Sequence, residues 1–166
     1  MKKATLCLLM KPGEILLAIK KRGFGAGKWN GSGGKIKDGE TIALATVREL
    51  KEEIGVAVKD TDLKPVARFN FYFPQRTDWD MQVFVFFAWK FAGEPSESDE
   101  MKPQWFKLNE IPFSEMWPDD MLWLPRALNN EKLIGDFWFS GDGETIDKHK
   151  IESVSEETLQ QAIYEK

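Results

Sequence analysis

The spacing of apolar and polar positions changes several times along the chain, and each change marks an element. Residues 5–10 and Glu14–Lys20 are apolar runs separated by Lys11-Pro12-Gly13, which predicts two strands joined by a turn. Over 66–73 the period is two. Ala67, Phe69, Phe71 and Phe73 fall on one face and Arg68, Asn70 and Tyr72 on the other, as in a strand with one buried face. Residues 81–91 are almost continuously apolar, the pattern of a strand covered on both faces. Shorter strands are expected over 104–108 and Lys132–Phe139, the latter followed by the turn-rich Ser140-Gly141-Asp142-Gly143.

After Thr41 the period lengthens to that of a helix. Ala43, Val47, Leu50 and Ile54 form its apolar stripe, Thr41 is placed to cap its start, and Gly55 to end it in the left-handed region. A second helix is expected over 121–128. Ser155 is placed to cap a last one carrying Leu159, Ala162 and Ile163. Residues 23–34, rich in glycine, and 93–102, polar and acidic, read as loops. Mixed strands with two or three helices predict an α/β (α+β) sandwich, and with no repeat or boundary in 1–166 the chain reads as a single domain.

With 42% hydrophobic and 30% charged residues, 166 residues suffice for a substantial core. The single cysteine, Cys7, excludes an internal disulfide, lies in an apolar run as a small buried residue would, and points to the cytoplasm. The apolar run after Met1-Lys2-Lys3 stops at Lys11, too short for a signal peptide, and no segment is long enough to span a bilayer, so no membrane partner is expected. A net charge of −4 argues against a nucleic-acid partner. It leaves room for a small anionic substrate, because a bound cation reverses the local sign.

The densest chemistry lies in the first helix and the turn before it. At about 100° per residue, Glu49, Glu52 and Glu53 share an arc roughly 100° wide opposite the apolar stripe. Three carboxylates on one face suit a hard divalent cation. On its own, such a face is more often simply solvated. The whole spacing changes that balance: Gly34, five residues, Glu40, seven residues, Arg48-Glu49-Leu50-Lys51-Glu52-Glu53, one residue, then Gly55-Val56. By this box the chain resembles the Nudix hydrolases at every fixed position.

Beyond the box, Lys20 to Gly31 (K-K-R-G-F-G-A-G-K-W-N-G), Glu97-Ser98-Asp99-Glu100-Met101, Ile111-Pro112-Phe113 and Met116-Trp117-Pro118-Asp119-Asp120 are similar to the animal-type MutT homologues within that family. The resemblance runs from about Thr5 to about Phe139. It implies an α/β/α sandwich with a mixed sheet, and hydrolysis of oxidised purine nucleoside triphosphates such as 8-oxo-dGTP or 2-hydroxy-dATP to the monophosphate and pyrophosphate. It further implies Mg²⁺, with Mn²⁺ as a substitute, held by Glu49, Glu52, Glu53, Glu100 and the Gly34 carbonyl. Glu53, with Glu52, would activate water, and Lys20 would contact phosphate. Arg48 reads as a counter-ion for the crowded glutamates rather than a substrate ligand. The expected partner is the small-molecule triphosphate alone, met by a monomer.

For the base, the resemblance points to Asn30, Trp117, Asp119 and Asp120, with Thr5, Phe24, Phe71 and Trp79 around them. Asn30 both donates and accepts, and an aspartate kept neutral by aromatic surroundings becomes a donor. In isolation, Trp-Pro-Asp-Asp is equally well a helix start with aspartate caps. Two departures fall near this pocket: Ser32 stands where the animal enzymes carry a larger aromatic residue, and Trp79 near a position usually held by methionine. They keep other nucleoside diphosphate-linked substrates in play, such as a methylated purine triphosphate, a nucleoside diphosphate derivative or a dinucleotide. A catalytically silent nucleotide-binding module is the remaining alternative, against which the intact glutamate set argues.

Overall fold

A computed structural model describes residues 1–164; the last two residues of the expected 1–166 domain lie outside that range. The strands are β1 (Lys2–Lys11), β2 (Glu14–Lys20), β3 (Trp29–Asn30), β4 (Leu63–Tyr72), β5 (Met81–Ala88), β6 (Met101–Lys107), β7 (Lys132–Phe139) and β8 (Ile146–Val154). The helices are α1 (Ile42–Ile54), α2 (Asp120–Leu128) and α3 (Glu156–Tyr164). The strands run β3-β2-β1-β5-β4-β7-β8 across the sheet, with β6 added on β2. Pairs β1–β5 and β4–β7 are parallel and the others antiparallel, so the sheet is mixed, as expected.

Alternation on the strands divides the core into two layers. Leu8, Phe69, Phe73, Val85 and Phe137 pack with Trp123 and Leu124 of α2. Cys7, Leu9, Phe84 and Phe86 pack on the other side with Leu50 and Ile54 of α1 and Leu159 and Ile163 of α3. This is the α/β/α sandwich, with two helices on one face and one on the other. Among the described residues no helix is long and apolar enough to cross a membrane.

The α1 helix is bounded as its sequence dictates. The Thr41 hydroxyl accepts from the Leu44 N–H at 3.1 Å, and Gly55 takes φ 72°, its N–H donating to the Lys51 carbonyl. Leu50 is fully buried against the sheet, and truncating such a leucine typically costs about 2–5 kcal/mol. Stripe members Ala43 and Val47 are only partly buried, while Ala45 and Thr46 are buried.

The structure departs from the apolar pattern at two strands. The run over 81–91 leaves the sheet at Ala88, and Trp89 is half exposed. The strand β8 is absent from the pattern because Ile-Asp-Lys-His-Lys-Ile-Glu-Ser-Val has no period-two apolar face. It forms through backbone pairing with β7, from Lys132–Val154 to Phe139–Ile146, and its charged side chains suit the outer edge of a sheet.

Candidate active site

One cavity of about 480 Å³ gathers most of the candidate residues. Thr5 enters it from β1, Lys20 from the end of β2, Asn30 from β3, Glu49 and Glu53 from α1, and Phe71 from β4. Phe24, Gly34, Glu100, Trp117, Asp119 and Asp120 reach it from loops and the start of α2. The segment after β3 runs antiparallel to β1: the Thr5 N–H donates to the Gly34 carbonyl at 2.9 Å and the Cys7 N–H to the Ser32 carbonyl at 2.7 Å. A side chain at 33 would overlap the Thr5 carbonyl, so glycine is required for this approach.

At one end the cavity is acidic. Glu53 is buried, accepts from the Gly33 N–H at 3.3 Å, and is pressed against Glu49. Burial, then the Glu49 hydrogen bond and charge, push its carboxyl up to about 9, and Glu100 adds to the repulsion. The Arg48 guanidinium binds the remaining acids. It meets Glu40 through two nitrogens at 2.6 and 2.9 Å, Glu49 at 2.8 Å and Glu52 at 3.2 Å. Arg48 in turn holds the Glu40 carboxyl down to about 2.

The three glutamates of the helix therefore do not all converge. Glu49 and Glu53 face the cavity, whereas Glu52 is half exposed and drawn to Arg48 one turn earlier, because their shared arc straddles the rim. As the side chains stand, no three acids among the described residues are gathered closely enough to share one ion.

The donor set nevertheless fits a hard divalent cation. Every candidate ligand is an oxygen, and two crowded carboxyls lose their mutual repulsion when a cation lies between them. Gly34 leaves a cradle beside them: a Cβ there would come within 2.5 Å of Glu49 Oε1. Its carbonyl, although it accepts from Thr5, keeps a second lone pair.

The other end is aromatic and sealed. Asp119 and Asp120 are buried at the start of α2, where the sequence alone allows ordinary helix caps. Asp119 makes no side-chain cap; its Oδ2 accepts from the Trp123 indole N–H at 2.9 Å. Burial raises its carboxyl to about 6, against the opposing pull of that hydrogen bond. Burial raises Asp120 well above the usual range, and the neighbouring Asp119 charge adds to it. Asp120 Oδ2 and Thr5 Oγ1 are buried without a hydrogen-bond partner among the described residues. The Asn30 carbonyl oxygen accepts from the Gly31 N–H at 2.9 Å.

The family model for the NUDIX domain matches residues 1–127, more than half of the chain. The chain belongs to the NUDIX family. Among similar Nudix proteins, the oxidized purine nucleoside triphosphate hydrolase of Danio rerio is 50% identical over 92% of this chain and 95% of its own. The Mus musculus protein of the same name is 47% identical over 90% of this chain and 94% of its own. A MutT protein from Bacillus halodurans has a similar structure, with TM-score 0.77 and 25% identity, covering 92% of this chain and 98% of that one.

Against this Nudix frame, Trp79 stands apart from the other expected pocket residues. It lies behind the cavity wall, its ring 4.8 Å from Phe24 and 5.5 Å from Phe73, because the short turn before β5 holds it outside. Ser32 is buried in the ladder against Cys7 and does not line the cavity either. Neither departure touches the base end directly. The sequence reading missed Lys28, Met81, Trp123 and Phe139, which all line the cavity. Trp123 was discoverable, since four residues after Asp119 on a helix is the same face.

Proposed function

We propose that this Nudix protein hydrolyses oxidised purine nucleoside triphosphates, of the 8-oxo-dGTP and 2-hydroxy-dATP type, to the monophosphate and pyrophosphate, clearing them from the nucleotide pool. The names of its relatives support the substrate class. The observation that carries the reading in this molecule is one cavity with the box glutamates at one end and a buried carboxyl pair, one oxygen unpartnered, at the other. A buried polar atom left unpaired costs about 1–3 kcal/mol, which a hydrogen bond to a base removes. Two neighbouring carboxyls with raised affinity for protons offer a donor and an acceptor side by side, matching purine edges that differ in that pattern.

In this reading Trp117 stacks on the purine, Phe24 and Phe71 wall the base, and Asn30 and Thr5 hydrogen-bond it. Trp79 acts only through Phe24. Lys20 meets the phosphates. Glu49, Glu52, Glu53, Glu100 and the Gly34 carbonyl would hold Mg²⁺ or Mn²⁺, with Glu52 turning in from Arg48. When bound, such an ion neutralises phosphate charge and acidifies a water. With a cation beside it to lower its raised proton affinity, Glu53, assisted by Glu52, would take the proton of the attacking water. Arg48 keeps Glu49 oriented. We take the chain to act as one domain, a monomer in the cytoplasm, without nucleic-acid or membrane partners.

Product analysis with oxidised and normal nucleotides tests the proposal. Monophosphate and pyrophosphate should be released in preference from the oxidised purines, and indifference to base oxidation would sink the sanitising role. Glu53→Gln should abolish turnover while nucleotide binding persists; retained turnover would remove Glu53 from the mechanism.

A further inference from the structure

Two lysines, adjacent along the backbone of neighbouring segments, line the same cavity. The β2–β3 pairing joins Ala18 to Asn30 and Ile19 to Trp29. Beyond it the pairing is irregular: the Lys20 N–H donates to the Lys28 carbonyl at 3.2 Å, whereas the Lys20 carbonyl accepts from the Gly27 N–H at 2.8 Å. The Lys20–Lys28 bond keeps the two backbones adjacent. Both Lys20 and Lys28 line the cavity. Like charges so placed repel, and the pair needs an anion between or beside it.

Only one of the two has such an anion. Lys28 Nζ lies 3.2 Å from Glu144 Oε2, in the turn between β7 and β8, and 5.2 Å from the centre of the Trp117 ring. Among the described residues Lys20 has no carboxylate within ion-pairing distance. The Lys20 strand end is fastened to the acid end of the site, because the next residue, Lys21, donates its N–H to the Glu100 carbonyl at 2.7 Å and its ammonium pairs with Glu97. Both lysines therefore line the cavity that Glu49 and Glu53 also line. The Glu144 side chain is 61% exposed, and an ion pair that open to water is weak. A polyphosphate, with several charges on one short chain, meets both lysines at once and has the advantage over a lone carboxylate.

We propose that Lys28 is a second polyphosphate ligand, paired with Lys20, and that Glu144 is a resident counter-ion which the substrate displaces. The inference rests on reading the cavity as a triphosphate site. The rival role for the Lys28–Glu144 pair is purely architectural, holding the β7–β8 turn against Trp117.

The two roles predict opposite signs. Steady-state KM for 8-oxo-dGTP and calorimetric affinity for inorganic tripolyphosphate would be measured at fixed ionic strength for Lys28→Gln, Glu144→Gln and the double variant. A ligand role predicts that Lys28→Gln weakens both by about tenfold. Glu144→Gln should tighten both by roughly two- to fivefold, since it removes a competing anion. The double variant should behave as Lys28→Gln alone. If Glu144→Gln weakens binding in the same direction as Lys28→Gln, the architectural role is correct and the proposal falls. It falls equally if tripolyphosphate affinity is unmoved in Lys28→Gln. Should the wild-type protein not turn over 8-oxo-dGTP, the substrate reading fails, while the tripolyphosphate measurement, which involves neither a base nor turnover, still decides the role of Lys28.

Discussion

Replacing Asp119 by Asn should make the protein more stable at neutral and alkaline pH while impairing recognition of the base. Asp119 is buried, and its carboxyl titrates at about 6 in the fold against 3.8 for a free aspartate. A folded-state value above the unfolded one means that the contribution to stability is fully present below 3.8 and is lost as pH rises through about 6. The difference of about two pH units corresponds to about 3 kcal/mol. Roughly half of that is lost between pH 5 and pH 8. An Asn side chain carries no charge and can still accept the Trp123 indole N–H through its oxygen. Urea unfolding of both proteins from pH 5 to pH 8 reads the effect, since titrating groups other than the adjoining Asp120 largely cancel in the difference. Asp119→Asn should exceed wild type by about 1–3 kcal/mol at pH 8, and the gap should shrink by about 1.5 kcal/mol toward pH 5. A gap that is absent, or that does not vary with pH, would refute the argument that the fold carries an aspartate at the expense of stability. Activity on oxidised purines should fall in the same variant, the usual exchange of stability for function.

Arg48→Ala should raise the Mg²⁺ concentration for half-maximal activity by about tenfold or more, because Glu49 loses the group that orients it; an unchanged Mg²⁺ titration would deny Arg48 that role. Trp123→Phe removes the hydrogen bond that holds Asp119 down, so the acid limb of the pH profile for oxidised-purine KM should move upward; an unmoved limb would separate Asp119 from base binding. Leu159→Ala should cost about 2–5 kcal/mol by denaturant unfolding, as α3 docks through that residue, and a loss below about 1 kcal/mol would show that α3 adds little to the core.

The parts of this molecule that could be read from sequence are those fixed by local spacing. The α1 helix with its Thr41 and Gly55 ends, the alternation through Phe69 and Phe71, and the box from Gly34 to Val56 all depend on neighbours within a turn or two. What could not be read depends on partners far along the chain. Strand β8 is held by β7 rather than by its own pattern. Glu52 faces away because the rim of the cavity, set by β1 and the loops, cuts through the arc of glutamates. Trp79 misses the cavity because a short turn before β5 places it behind Phe24. Lys28 acquires its significance from Glu144, 116 residues later.

In the proposed reading the cavity's two clusters of carboxyls have different tasks, and burial decides which suits which. At the acid end burial and the neighbouring Glu49 raise the affinity of Glu53 for protons, but Glu52 is half exposed and Glu100 lies on an open loop, so a hydrated cation arriving from solvent has oxygen ligands to exchange for its water. At the base end both aspartates are more than nine-tenths buried among Trp117, Trp123 and Phe71, where a divalent ion would have to shed its whole shell for two carboxyls and a few amides. Protonation is the cheaper way to relieve the repulsion there. In the proposed reading the same residue chemistry would take a metal where water reaches it and a proton where burial excludes it. A nucleotide lying across both must present its phosphates to the first and an uncharged, hydrogen-bonding edge to the second.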